Sequence, residues 1–253
     1  MEELREIKLP EDLELLKRFL MSDAIGFVSL ILRLREKHFP QAYARISEGS
    51  IKTLVTIEQK PSENSFSVEI WPGDVRFIEP ILEKWGPLKC GLSFGVKHLH
   101  RVLIIYRPIR VFDEVFMMFV DKEHFIFKPK HRAKKLKGDE LPEPWSTEAR
   151  KNYEGIAYGI RVNGKILSVG SVENLLEGIG SCGAAIITDP EQRNKGYATS
   201  TLAYAVRDAL DIVPIVTYYV ESNNMPVIRV LEKLGFLFYS AVLCTLEAEK
   251  RKN

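Results

Sequence analysis

The pattern of apolar and polar positions in the second half of the chain predicts alternating strands and helices. Ala184 to Thr188 is a short apolar run with β-branched members, which is typical of a buried strand. Tyr197 to Leu210 has helical periodicity, and Pro214 to Val220 is strand-like again. A strand, a helix and a strand in this order predict a right-handed crossover between two parallel strands.

A hairpin precedes this crossover. Ile156–Val162 and Lys165–Val172 are β-prone runs separated by Asn163-Gly164, a dipeptide that favours a type I′ turn. Before the hairpin, Ser146 is a suitable N-cap for a short helix through residue 153.

A second helix follows the crossover. Asn224 is predicted to cap it and Gly235 to end it, with Val227 on its apolar face. Residues 236–246 are expected to form two short closing strands.

The first half of the chain is also mixed α and β. Helices are predicted over residues 11–21, 24–38 and 74–85, and strands over 42–47, 51–58, 65–70, 101–106, 115–120 and 124–127. A basic run at 128–137, followed by Gly138, Pro142 and Pro144, breaks this periodicity. We therefore predict an N-terminal α/β domain over 1–125, a basic, proline-containing linker over 126–145 and a catalytic domain over 146–253.

The turn between the strand at 184–188 and its helix has the features of an anion site. The first turn of a helix offers unpaired N–H groups and the positive end of the helix dipole. Gly196 and the small Ala198 let the backbone approach a pyrophosphate, while Arg193 and Lys195 add positive charge. The turn lacks the Gly-x-x-x-x-Gly-Lys of a Walker loop and the three glycines of a dinucleotide loop.

Two ordered motifs carry a family resemblance. Arg193-x-x-Gly196-x-Ala198, after a strand that ends in Thr-Asp-Pro, resembles the acyl-CoA pyrophosphate loop of the GNAT superfamily of N-acyltransferases. The segment 224–236, an Asn that opens a helix ending in Leu-Gly-Phe, resembles the second cofactor segment of that family. The resemblance covers roughly residues 147–247.

The resemblance implies an α/β (α+β) fold, in which a mixed sheet of the C-terminal half contains a splayed pair of parallel strands. The mixed α/β N-terminal domain is similar in layout to the degenerate GNAT-like half of two-domain members in the glycine N-acyltransferase-like branch. In the family, the pantetheine arm of acetyl-CoA pairs with backbone of the first splayed strand. Acetyl-CoA is therefore expected as the cosubstrate, and no metal is predicted. The residues that the resemblance assigns to acetyl-CoA are Ile186, Ile187, Thr188, Arg193, Asn194, Lys195, Gly196, Tyr197, Ala198, Thr199, Asn224 and Val227. The alternative interpretation is a plain core strand followed by a tight turn.

The proton-transfer residues of the family are not present at their usual positions. Leu231 stands where many members have a tyrosine that protonates the thiolate, and Cys182 stands where related enzymes often have a glutamate. An acceptor amine must still lose a proton, for which a carboxylate is suited. Glu221 is the first candidate for this base and Glu173 the second.

Other side chains near the splay remain open alternatives. Tyr218, Tyr219 and Ser222 are candidate proton donors to the leaving thiolate, with a structural role as the other interpretation. Cys182 as a nucleophile is disfavoured because no histidine follows residue 131. His98 and His100 lack a third metal ligand nearby and are interpreted as surface residues.

Composition argues against a nucleic-acid-binding or membrane-spanning protein and favours a reducing compartment. A net charge of +2 on 253 residues gives no general attraction to nucleic acid or membrane, and the longest apolar run, 24–32, is too short to span a bilayer. Three widely spaced cysteines form neither a disulfide framework nor a metal motif, which favours a reducing cytoplasm. The basic run at 128–137 is interpreted as solvated linker, with contact to RNA or to the 3′-phosphate of the cofactor as the alternative.

The sequence therefore predicts a cytoplasmic N-acetyltransferase. It is expected to move an acetyl group from acetyl-CoA directly to a primary amine within a ternary complex, and a homodimer is compatible with this. The alternative is a non-catalytic acyl-CoA-binding or sensing module, which the replaced tyrosine and glutamate permit.

Overall fold

The structure is a computed structural model that describes residues 2–60, 65–71, 90–95, 106–108, 113–142, 153–181 and 183–250. Its helices are α1 Leu13–Met21, α2 Val28–Arg35, α3 Tyr197–Leu210 and α4 Met225–Lys233. Its strands are β1 Glu2–Glu6, β2 Gln41–Ser47, β3 Ser50–Lys60, β4 Ser65–Trp71, β5 Cys90–Gly95, β6 Tyr106–Pro108, β7 Asp113–Asp121, β8 Lys134–Leu136, β9 Ile156–Val162, β10 Lys165–Val172, β11 Leu175–Leu176, β12 Gly180–Ser181, β13 Ala184–Thr188, β14 Ile215–Glu221 and β15 Leu237–Lys250. The predicted mixed α/β class is confirmed.

The chain forms two compact units that interleave along the sequence. The first contains residues 1–23, 33–116 and 240–253, and the second contains 24–32 and 117–239. The predicted domain division, in contrast, uses contiguous segments.

The first unit is built on a sheet with the order β1-β2-β3-β4-β5. The pairs from β1 to β4 are antiparallel, β4 and β5 are parallel, and the later part of β15 pairs antiparallel with β5. Helix α1 packs against β3, with Leu16, Leu20 and Leu54 almost fully buried. Burial of such side chains stabilises the unit by about 1.5–3 kcal/mol each.

The second unit contains a four-stranded sheet with the order β13-β10-β9-β8, and α3 packs against β10 and β9. The predicted hairpin is present, since Asn163 (φ 51°) and Gly164 (φ 79°) both have the left-handed backbone that a type I′ turn requires. Strand β13 and helix α3 have the bounds that the sequence predicts.

Helix α3 lies very close to β10 because of a glycine. A β-carbon on Gly170 would lie 2.4 Å from the Leu202 nitrogen and 2.6 Å from its Cα. Beside this contact, the buried Ser168 hydroxyl lies 2.8 Å from the Thr188 hydroxyl and 3.3 Å from that of Thr201, which joins β10, β13 and α3. The position of the α3 N-terminus relative to β13 thus depends on Gly170.

We expect Gly170→Ala to lower the free energy of unfolding by about 2–4 kcal/mol, because the added methyl group meets helix backbone that cannot rotate away. Urea denaturation measures this loss. Gly159→Ala in β9 is the matched control, since the atoms nearest to its β-carbon would belong to the side chain of Leu136 and not to backbone. A loss no larger for Gly170→Ala than for Gly159→Ala would contradict the explanation.

Two element predictions are wrong. Residues 124–127 form no strand, because the His124 N–H donates to the Asp121 carboxylate in a turn and the Ile126 N–H donates to the Leu234 carbonyl at the end of α4. The expected pair of closing strands is one strand, β15.

The segment 126–145, predicted as a linker, contributes to the second unit. It contains β8, which pairs with β9, and its Leu136 and Leu141 are buried against Val169. The predicted helix at 74–85, all but the last residue of the short helix predicted through residue 153, and most of the strand at 101–106 lie outside the described residues. Cys182, His98 and His100 also lie outside them.

Candidate functional site

Strands β13 and β14 form the two sides of the candidate site. Each is the edge strand of its own sheet, because β13 pairs only with β10 and β14 only with β7 among the described strands. Thr217 of β14 is tied to Ser181 just before β13, with its hydroxyl 2.6 Å from the Ser181 carbonyl oxygen and its N–H 3.2 Å from the Ser181 hydroxyl. Beyond this link no strand pairing joins β13 and β14, which lie in different sheets. The splayed parallel pair within one sheet stays a prediction.

The backbone of β13 presents alternate groups to this splay. The Asp189 N–H donates to the Leu167 carbonyl at 2.8 Å, on the β10 side. Backbone groups alternate along a strand, so Ile187 also bonds toward β10 while Ile186 and Thr188 face outward. Of the three strand residues assigned to the cofactor, Ile186 and Thr188 thus offer backbone groups, and Ile187 does not.

An aspartate side chain forms the first hydrogen bonds of the turn after β13. The Asp189 carboxylate accepts the Glu191 N–H at 3.1 Å, which starts a single 3₁₀ turn over Pro190–Gln192, and it lies 2.7 Å from Lys165 Nζ. The hydrogen bond from Lys165 is the main cause that lowers the pKa of Asp189. The carboxylate therefore stays charged while the chain turns toward α3.

The turn continues through two residues with left-handed backbone. Asn194 has φ 63° and Gly196, the residue that caps α3, has φ 84°. Within the described part of the chain, no protein acceptor bonds the backbone N–H groups of residues 194–199. Arg193, Asn194 and Lys195 are exposed, and Tyr197, Ala198 and Thr199 are half-buried. This group of N–H donors at a helix N-terminus suits a phosphate.

A segment that the sequence analysis assigned to the linker lies against this turn. The Ser200 hydroxyl accepts the N–H groups of both Lys130 and His131 at 3.1 Å and donates to the Gly196 carbonyl at 3.0 Å. His131 Nε2 donates to the Lys195 carbonyl at 2.8 Å, and its ring packs edge-on to Tyr197 at 4.6 Å. Lys130 and His131 therefore belong to the candidate site, whereas the sequence analysis interpreted their basic run as a solvated linker and left contact with the cofactor as the alternative.

The second motif also has the predicted geometry. The Asn224 side chain accepts the Val227 N–H at 3.4 Å at the start of α4, and Gly235 after the helix has φ 87°. Asn224 and Val227 are half-buried. Leu231, at the position of the usual tyrosine, is fully buried and has no proton to give.

The two candidate bases lie in different surroundings. Glu173 is half-buried at the end of β10, where its N–H donates to the Gly183 carbonyl at 2.9 Å and its carboxylate accepts the buried Ser171 hydroxyl at 3.2 Å. Tyr153 lies beside it, and burial followed by the charge of Glu173 raises the pKa of this phenol. Glu173 is thus a half-buried carboxylate among polar side chains near the start of β13.

Glu221 ends β14 with an exposed side chain. Side chains alternate along a strand, so Glu221 shares a face with the exposed Tyr219, opposite to Tyr218.

The part of the chain that the structure describes carries no sign of a metal site or a membrane-spanning helix. Among the described residues, no three His, Cys, Asp or Glu side chains come close enough together to hold a metal ion. Within those ranges, no helix has the length and apolar character needed to cross a membrane.

Comparison with known proteins identifies the class. The model of the Acetyltransferase (GNAT) domain matches residues 104–237, more than half of the chain, so the protein belongs to the GNAT acetyltransferase family. The matched region includes both motifs and the segment around Lys130. No curated protein is similar enough in sequence to count as a match.

Solved structures share the fold at low identity. A GCN5-related N-acetyltransferase from Sphaerobacter thermophilus has a TM-score of 0.64 at 14% identity, covering 98% of this chain and 95% of that one. A Drosophila protein has a TM-score of 0.64 at 15% identity, with 97% and 99% covered. A tandem GNAT protein from the clavulanic acid biosynthesis pathway has a TM-score of 0.56 at 14% identity, with 98% of both chains covered. These likenesses extend over nearly the whole chain and support the fold.

Proposed function

We propose that this protein transfers an acetyl group from acetyl-CoA directly to a primary amine. Membership of the GNAT family supports acyl transfer in general. The proposal that acetyl-CoA is the donor rests on two features at one strand. Among the described residues, the edge of β13 at Ile186 and Thr188 pairs with no other strand, and the N–H groups of 194–199 beyond its end have no protein acceptor. One extended ligand with a pyrophosphate at one end and a pairing arm at the other matches this combination.

The turn would hold the pyrophosphate. The N–H groups of 194–199 supply directed donors, and Arg193 and Lys130 supply charge on two sides. Gly196 leaves room beside Lys130 that a side chain would occupy, since a β-carbon there would be in van der Waals contact with Lys130 Cδ at 3.5 Å.

The edge of β13 would hold the pantetheine arm and the thioester. Outward backbone groups of Ile186 and Thr188 can pair with an extended arm as a further strand would. An N–H at this edge can stabilise the oxyanion that forms when the amine attacks the carbonyl. Asn224 and Val227 at the start of α4 face the arm from the β14 side in this proposal.

Glu173 is the base that we favour. An arm that starts at the turn and follows β13 ends near the start of that strand, where Glu173 bonds Gly183. Its carboxylate is half-buried, whereas that of Glu221 is exposed. Glu173 would accept a proton from the attacking amine directly or through one water.

A transfer assay tests the function. The protein is incubated with radiolabelled acetyl-CoA and a panel of amino acids, polyamines, aminoglycosides and peptides with free N-termini. Acetylation of at least one amine class above the non-enzymatic rate is expected. Tight acetyl-CoA binding with no transfer to any amine would favour the alternative, a non-catalytic acyl-CoA-binding or sensing module.

Calorimetry should find one acetyl-CoA bound per chain at saturation. Residues 1–125 contain no Arg-x-x-Gly-x-Gly/Ala turn, so we propose that they cover the acceptor side or mediate assembly instead of binding a second cofactor. A stoichiometry near two would contradict this assignment and would favour a second working GNAT-like half.

The setting of the reaction is proposed from composition. Three scattered cysteines favour a reducing cytoplasm, and the small net charge favours neither nucleic acid nor membrane as a partner. A homodimer is compatible with this proposal, and the glycine N-acyltransferase-like branch stays a prediction.

A further inference from the structure

The imidazole of His131 holds one peptide group of the turn before α3. Its Nε2 lies 2.8 Å from the Lys195 carbonyl oxygen, and because a carbonyl can only accept, this nitrogen carries the proton. The ring is half-buried and packs edge-on to Tyr197, with 4.6 Å between the ring centroids. A hydrogen bond and a ring contact thus fix the orientation of the imidazole.

The backbone that carries this imidazole is fixed as well. The hydroxyl of Ser200, a fully buried residue, accepts the N–H groups of Lys130 and His131, each at 3.1 Å. It donates its own proton to the Gly196 carbonyl at 3.0 Å, so that its donor and both of its acceptor positions are used. His131 therefore reaches the turn from a segment that is tied to the first turn of α3.

The contact with Lys195 determines the direction of the next N–H. The Lys195 carbonyl and the Gly196 N–H belong to one planar trans peptide group, in which they point in opposite directions. His131 on the carbonyl side therefore directs the Gly196 N–H away from the imidazole. A donor on the carbonyl also polarises the peptide group, which makes its N–H a stronger donor. Among the described residues, no protein acceptor takes this N–H.

The following peptide group is held in the usual way of a helix. The Gly196 carbonyl accepts the Ser200 N–H at 3.1 Å, so the Tyr197 N–H of that peptide points out of the helix N-terminus. The Lys195 carbonyl lies before the helix, and its bond comes from a side chain 64 positions earlier in the chain. His131 thus extends the ordered set of N–H groups from Tyr197 to Gly196.

We propose that His131 is a positioning residue for the cofactor, which holds the Lys195 carbonyl and thereby directs and strengthens the Gly196 N–H as a donor to the pyrophosphate of acetyl-CoA. This inference rests on the proposed function. The imidazole acts on the phosphate only through the backbone. Its effect should therefore lie in cofactor binding and not in the transfer of the acetyl group.

Phenylalanine in place of His131 keeps a ring against Tyr197 and removes the donor. We expect the Kd for CoA and the KM for acetyl-CoA to rise roughly 3- to 10-fold, with kcat little changed. The Kd for pantetheine, which has the arm but no pyrophosphate, should stay the same. His131→Gln should recover part of the affinity, because its amide N–H can donate to the same carbonyl.

The matched control makes the same exchange elsewhere in this unit. His124→Phe removes an exposed imidazole that bonds Asp121 in a turn, and it should change neither Kd. Damage to the fold would weaken binding of CoA and pantetheine alike. An unchanged Kd for CoA in His131→Phe, or an equal loss for both ligands, overturns the inference.

A second measurement needs no change at His131. Gly138 and Gly196 are the two glycines of the sequence that follow a lysine, so carbonyl-¹³C lysine with ¹⁵N glycine selects their two amide resonances. Lys137→Arg removes the signal of Gly138 and assigns the pair. CoA should move the Gly196 amide proton downfield and leave Gly138 in place, while pantetheine should move neither.

The outcomes separate this inference from the proposed function. A Gly196 resonance that stays in place in a protein saturated with CoA overturns the inference alone. Absence of CoA binding to the unaltered protein overturns both the inference and the proposed function.

Discussion

Glutamine in place of Glu173 should slow acetyl transfer by roughly 10²- to 10⁴-fold at neutral pH, with little change in the Kd for acetyl-CoA. Glutamine keeps the size and polarity of the side chain and removes its basicity. The Ser171 hydroxyl can still donate to the amide oxygen at this position, so the fold should remain intact. The effect should lie in kcat, since the base acts only after both substrates are bound.

The pH dependence tests the role of the carboxylate. An amine that is largely neutral in solution brings no extra proton, so the loss in Glu173→Gln should shrink as pH rises through the pKa of the acceptor. Initial rates between neutral and alkaline pH measure this change. Glu221→Gln is the matched control, because its side chain is exposed and on the face opposite Tyr218. A large loss in Glu221→Gln with a normal rate in Glu173→Gln would reverse the assignment of the base.

Valine in place of Gly196 should weaken binding of CoA by about 1–3 kcal/mol, or roughly 5- to 150-fold. Gly196 has φ 84°, a backbone conformation that is strained for a β-branched residue. A valine would either distort the turn that directs the N–H groups of 194–199 or fill the surface between that turn and Lys130. Both outcomes remove the proposed pyrophosphate site.

Gly49→Val is the control for Gly196→Val, because it separates the effect of backbone strain on stability from an effect on CoA binding. Gly49, in the turn between β2 and β3, has φ 67°, and no heavy atom lies within 4 Å of a β-carbon added there. Gly49→Val should therefore lose a similar amount of stability and bind CoA normally. Calorimetry on folded samples of both variants gives the comparison. Equal CoA affinity in the two variants would contradict the proposed position of the pyrophosphate.

Local signals explain why much of this fold was predictable from the sequence. Asn163-Gly164 determines a turn through backbone angles that few other dipeptides allow, and the structure has those angles. Asn224 caps α4 through its own side chain, and the bounds of β13 and α3 follow from a proline and a glycine between them. Each of these features depends on residues that are neighbours in the chain.

Features that depend on distant residues were not predictable. Lys130 and His131 contact Ser200, which lies about seventy positions later in the chain. A basic run interpreted from the sequence as a linker therefore contacts the N-terminal turn of α3. The β-prone segment after Asp121 forms no strand because its Ile126 N–H bonds the end of α4. The hydrogen bond from Thr217 on β14 to Ser181 ahead of β13 likewise joins residues that meet only in the folded protein.

The most direct test of the account is a crystal structure of the protein with CoA. We expect the pyrophosphate at the N–H groups of residues 194–199, with Lys130 and Arg193 nearby, and the pantetheine arm along the outer edge of β13 between Ile186 and Tyr218. CoA bound elsewhere, or a β13 edge that the arm does not touch, would contradict the proposed site.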